Sequence, residues 1–208
     1  MKRTLLLVLG LALVAIAAVA YLEGGGAQRT SSALADDDGG ARAVLRNAAG
    51  APVGVAKLTQ EDNEVLVRVK VHSASTGPSP APGFHGFHVH ETGTCTPAGF
   101  TSAGFHLDLA GTGSGGTPHP SEAGDLPVLL VNADGSGEAR FKTDRFDVAD
   151  LLAGDGTAFI IHLNPDNYAN IPARYLAPPA TITAVDQATK DTGDAGGRIA
   201  CGVIQASD

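Results

Sequence analysis

The chain has 208 residues, a formal net charge of −8 and only 17% charged residues, and its lysines and arginines form no cluster beyond Lys2 and Arg3. That balance argues against a nucleic-acid partner, whose phosphates call for a basic patch; the acidic excess serves solubility.

Residues 1–22, MKRTLLLVLGLALVAIAAVAYL, set two cations before a run without charge from Leu5 to Leu22. This pattern predicts a signal peptide, with Ala18 and Ala20 near a cleavage point, or an uncleaved membrane anchor. Contact with a membrane is expected only through this segment, and the protein is expected to be exported, extracellular or in the cell envelope. Residues 23–40, EGGGAQRTSSALADDDGG, contain little that could pack and read as a flexible linker. Residues 41–208 are left as one folded domain, long enough for a sizeable core.

ARAVLRN and VGVAKLTQ flank the turn-like AAGAP, and EDN leads into Val65, Val67, Val69 and Val71, which alternate with Leu66, Arg68, Lys70 and His72. A period of two with one apolar face predicts a half-buried strand within a meander. HGFHVH, residues 85–90, follows. PVLLVN and EARFKTD are joined by ADGSG, a hairpin signal. DVADLLAG, residues 147–154, is the one segment with helical character, and TAFIIHL and RIACGVIQ supply the last β-branched runs. About eight strands result, so the expected class is all-β, an antiparallel Greek-key sandwich or flattened barrel. Two connections, residues 92–126 and 164–197, are too long for ordinary turns and are expected to be functional. The two cysteines, Cys95 and Cys201, allow a single pairing, and an exported chain favours a disulfide.

Three of the seven histidines fall in HGFHVH. On a strand His88 and His90 share a face, Phe87 and Val89 take the other, and His85 has the core parity, that of a buried, hydrogen-bonded histidine. Two imidazoles on one face can hold one metal ion; alone they could equally line a solvated polar face. His106 in TSAGFH and His162 in FIIH add two more imidazoles, a donor type that suits copper or zinc.

GFHGFHVHETGTC, TSAGFH, GDLP, IIHLNPDN and TGDAGGRIACGVI, in this order, resemble the Cu/Zn superoxide dismutases, especially the exported bacterial ones. The resemblance implies superoxide dismutase activity, with His88, His90, His106 and His162 as copper ligands. It also implies Arg198 guiding superoxide to the metal, Asp166 orienting ligand histidines from behind, and the Cys95 to Cys201 bridge pinning the first long loop to the last strand. Zinc-binding members carry two further loop histidines, the second three residues before the aspartate of GD. Here that position is Glu122, and His119 is the only imidazole between His106 and Asp125. A zinc site of His106, His119 and Asp125 would require the loop to rearrange; otherwise His119 is a loop histidine, Asp125 caps or braces the loop, and the loop resembles that of relatives that bind copper without zinc. Without zinc the bridging role of His106 is expected to become that of an ordinary ligand, oriented by protein contacts that include Asp166. The alternatives to a dismutase are a copper storage or delivery module on the same sandwich and a metal-free structural domain. Oligomeric state is not readable from the sequence.

Overall fold

The computed structural model describes residues 40–110, 117–169 and 187–207. The chain divides into two units, residues 1–35 and 36–208, and the described residues lie in the second. The expected signal or anchor, almost all of the linker and parts of both long loops fall outside the described residues. Among those described, no helix is long and apolar enough to cross a membrane.

Ten strand segments form the scaffold: β1 (Ala41–Asn47), β2 (Pro52–Glu61), β3 (Glu64–Val71), β4 (Gly83–His85), β5 (Phe87–His90), β6 (Leu129–Val131), β7 (Gly137–Thr143), β8 (Ala158–His162), β9 (Arg198–Val203) and β10 (Gln205–Ala206). One antiparallel sheet runs β5-β8-β9-β1-β2-β3-β7, with β10 also paired to β1, while β4 and β6 pair separately. Since β4 runs into β5 through Gly86 and β6 turns into β7, this small ribbon links the two outer strands and closes the curl into a flattened barrel. The all-β class and Greek-key connectivity agree with expectation. The surplus over eight comes from two interruptions, at Gly86 and at Ile204. Gly86 has a packing reason: a methyl there would lie 2.7 Å from Ala195 Cβ and 3.1 Å from the His88 ring.

The period-two pattern places Val65, Val67, Val69 and Val71 in the core with Ala43, Leu45, Ala56 and Leu58. At the functional end, Phe87, Val89, Phe159 and Ile161 point into the same core, and the Phe87 and Phe159 rings stack at 4.9 Å. The opposite faces of β5 and β8 are also covered. Ala158 and Ile160 pack with Phe100, Ala103 and Cys201 in a second cluster, and His88 and His90 lie beside it, at most 1% exposed.

The expected helix is α1 (Val148–Leu152), begun by a reciprocal capping box between Asp147 and Asp150. A second helix, α2 (Gln187–Thr192), corrects the expectation of a single helical segment. QATKDT offers no apolar period, so its helicity depends on its setting: the Lys190 carbonyl accepts the His119 amide and the Thr189 carbonyl accepts that of Gly193.

Candidate metal centre

The first long loop doubles back along β5 and thereby completes the site. The Val89 amide donates to the Gly124 carbonyl, Leu107 N–H to the Val89 carbonyl, and Gly124 N–H to the Leu107 carbonyl, each at 2.8–2.9 Å. These bonds set His106 opposite His90 and Asp125 opposite His88. His162 arrives on β8, antiparallel to β5.

His88, His90, His106 and His162 are all buried and each offers a nitrogen within 4.8 Å of the others. The other nitrogen of each ring is held by the protein. His88 Nε2 contacts Asp166 Oδ2 at 2.7 Å, His90 Nδ1 the Gly104 carbonyl at 3.0 Å, His106 Nδ1 the Asp125 Oδ1 at 2.8 Å, and His162 Nδ1 the Gly196 carbonyl at 3.0 Å. Every one of these partners is an acceptor, so each ring carries its proton there and turns a lone pair inward. Of the inward nitrogens, His88 Nδ1 and His106 Nε2 are buried with no hydrogen-bond partner, and His90 Nε2 faces His162 Nε2 at 3.4 Å. Burial, followed by the charge of neighbouring His106, brings His88 down to about 4, and burial first of all lowers His90 and His162 well below the usual histidine value. His88, His90 and His162 are thereby kept neutral, and together with His106 they form a converging set of imidazoles, a donor set for a transition-metal ion that suits copper.

A second cluster adjoins the first through His106. His106, His119, Glu122 and Asp125 are buried and offer donors within the same 4.8 Å limit. Asp125 Oδ1 lies 2.8 Å from both His106 Nδ1 and His119 Nδ1, and Glu122 Oε2 lies 3.2 Å from His106 Nδ1. Burial opposes charge on His106, yet Asp125 and Glu122 outweigh it and raise its pKa. His119, caught between Asp125 and Asp166, is raised against its burial to about 9, and Asp125 is lowered against its burial to about 2 by the two histidines.

His106, His119 and Asp125 thus already meet, which corrects the expectation that the loop would have to rearrange. Glu122, which in sequence marks only an absent histidine, turns its carboxylate into the cluster. Its signal was available, because it occupies the position where a ligand histidine stands in zinc-binding sequences. Asp166 does not contact His106. Its Oδ2 receives His88 and its Oδ1 lies 2.9 Å from His119 Nε2, so it joins the two clusters from behind.

His85 lies outside both clusters, 2% exposed, with Nδ1 on the His162 carbonyl and Nε2 on the Ala81 carbonyl, each at 2.7 Å. Cys95 and Cys201 form a disulfide, with Cα atoms 5.7 Å apart. Arg198 is partly exposed; its Nη1 donates to the Phe100 carbonyl at 2.7 Å and its Nη2 to the Gly104 carbonyl, the acceptor also used by His90.

Residues 53–204 match the sequence profile of the family described as copper/zinc superoxide dismutase. A superoxide dismutase [Cu-Zn] of Mycolicibacterium paratuberculosis is 44% identical over 135 residues, which cover 60% of this chain and 57% of that protein. The chain therefore spans little more than half of that relative. A superoxide dismutase [Cu-Zn] of Mycobacterium tuberculosis is 39% identical over 193 residues, covering 88% of this chain and 72% of the relative. Among solved structures, the clock protein EA4 superposes with a TM-score of 0.58 at 27% identity, covering 81% of this chain and 94% of that one. A mutant of a SOD-like protein from Bacillus subtilis gives a TM-score of 0.56 at 28% identity, covering 78% and 95%. With its barrel, its four-histidine centre and a profile match over most of its length, the chain belongs to the copper/zinc superoxide dismutase family.

Proposed function

We propose that the protein is a copper-dependent superoxide dismutase with His88, His90, His106 and His162 as the copper ligands. The observation that carries the reading is the set of four buried imidazoles whose outer nitrogens are all held by acceptors and whose inner nitrogens converge. Bound there, copper would supply the one-electron couple by which one superoxide becomes dioxygen and a second, taking up two protons, becomes hydrogen peroxide. The protein's contribution is positional. It fixes the tautomers, excludes water behind the rings and leaves Arg198 partly exposed beside His90, where its charge attracts a small anion in an otherwise acidic molecule. A storage or delivery module would have no use for that arginine.

Copper alone suffices in this reading, because Asp125 and Glu122 already orient His106. Metal-free protein reconstituted with copper and no zinc is expected to dismutate superoxide, and Arg198→Gln to slow it most at low ionic strength. Inactivity with copper bound, restored by adding zinc, would overturn this reading.

One observation favours a second reading in which zinc also binds: Glu122 completes a set of two nitrogen and two oxygen donors with His106, His119 and Asp125, a chemistry that zinc accepts. Stoichiometric zinc that is retained through gel filtration by the wild type, and lost from Glu122→Gln, would establish it. The proposal extends to export, with residues 1–22 as the targeting segment, 23–40 as the linker and 41–208 as the dismutase domain. The disulfide supports this, since such bonds persist in oxidising compartments. N-terminal sequencing of the protein from its native host separates a cleaved signal from an anchor.

A further inference from the structure

The loop that presents Glu122 and Asp125 borders a cleft of about 430 Å³ on the side facing β7, lined by Pro120, Leu126, Phe141 and Tyr168 among others. Packing fixes part of this loop, since Leu126 lies in the core and Ala123 packs against it, and a side chain holds it as well. Arg145, also on the cleft wall, reaches it from the segment between β7 and α1. Its Nη1 donates to the carbonyls of Pro120 at 2.9 Å, Glu122 at 2.9 Å and Asp125 at 3.1 Å. Two of those carbonyls belong to the very residues whose carboxylates meet His106 Nδ1.

The base of this arm is rigid. The Arg145 amide donates to Thr143 Oγ1 at 3.2 Å, the next residue, Phe146, is 3% exposed in the core, and Asp147 caps α1. A guanidinium on a fixed support can impose a loop conformation instead of merely following it. There is also something to impose: two carboxylates converging on one imidazole repel each other, and a cation bound to the adjoining backbone offsets that repulsion.

We propose that Arg145 is a positioning residue of the metal centre, which holds the loop from Pro120 to Asp125 so that Glu122 and Asp125 fix the orientation of His106. The proposal rests on the dismutase reading only where it speaks of copper; the loop geometry stands apart from it.

The test compares Arg145→Ala with Gln60→Ala in the full chain. Gln60 Nε2 donates to Asp147 Oδ1 and Gln60 Oε1 accepts the Val148 amide, both at 2.9 Å, so its loss loosens the segment that carries Arg145 without removing a bond to the loop. Hydrogen exchange at the amides of Ser121 to Asp125 is measured on metal-free protein, followed by the copper(II) EPR spectrum after loading. Arg145→Ala is expected to speed exchange there by roughly tenfold, as the loss of charge-assisted bonds implies, and to shift the copper hyperfine splitting. Gln60→Ala, which keeps the three Arg145 bonds to the loop, is expected to change both by clearly less than Arg145→Ala does. Unchanged exchange in Arg145→Ala, or equal changes in Gln60→Ala, overturns the proposal. If wild-type protein takes up no copper, the dismutase reading fails, and the metal-free exchange still decides the role of Arg145.

Discussion

Removing the disulfide should reach the metal centre as well as the stability of the fold. Cys95 and Cys201 lie 106 residues apart, and closing a loop of that size restricts the unfolded chain by an amount worth about 5 kcal/mol as an upper figure. Against the 5 to 15 kcal/mol typical of a domain, roughly, this is a large share. The bridge also joins β9 to the segment that supplies the Phe100 and Gly104 carbonyls, and these hold Arg198 and His90. Replacing both cysteines with alanine should therefore cost about 3 to 5 kcal/mol in urea unfolding of the metal-free protein. It should also perturb the copper(II) EPR spectrum through His90 and weaken the salt dependence of turnover through Arg198. The reasoning is refuted if the double variant loses less than about 1 kcal/mol, or if it loses stability while spectrum and salt dependence stay at wild type.

Two further outcomes follow from the geometry. Gly193 has φ +60°, and a methyl there would press on Asp166 Oδ1 and His119 Nε2; Gly193→Ala is expected to break that contact and lower copper affinity through Asp166 and His88, as seen by competition with a chelator. Metal-free protein should be most stable near pH 6.5 and lose stability on both sides. On the acid side, His88 is held down to about 4, so between pH 6.5 and 4 the unfolded chain takes a proton that the fold refuses, a loss of about 3 kcal/mol. On the alkaline side, His119 is raised to about 9, so its contribution, complete below 6.5, disappears as pH climbs through 9. Urea midpoints across that range check both limbs, and a flat profile would show that the histidines titrate alike in both states.

Much of the scaffold was legible because its signals are local. The alternation from Val65 to Val71 records one buried face directly, and the same parity separated His85 from His88 and His90. The single cysteine pairing needed only a count. What escaped depends on contacts between distant segments. The helix Gln187–Thr192 has no apolar period of its own to read. Glu122 looked like a missing histidine, since residue type alone does not tell whether a carboxylate in a loop faces water or an imidazole; the loop's return along β5 through Gly124 decides it. Asp166 carried a signal as a partner of ligand histidines, but its two oxygens went to His88 and His119 and not to His106, a choice set by β5 and the loop together.

The proposed activity depends on four imidazoles holding a single copper ion. Its most direct test is a copper(II) titration of metal-free protein followed by EPR. A single site saturating at one copper per chain with splitting from nitrogen ligands is expected, and a different spectrum after His106→Ala. Binding without nitrogen splitting, or a spectrum indifferent to His106→Ala, would contradict it.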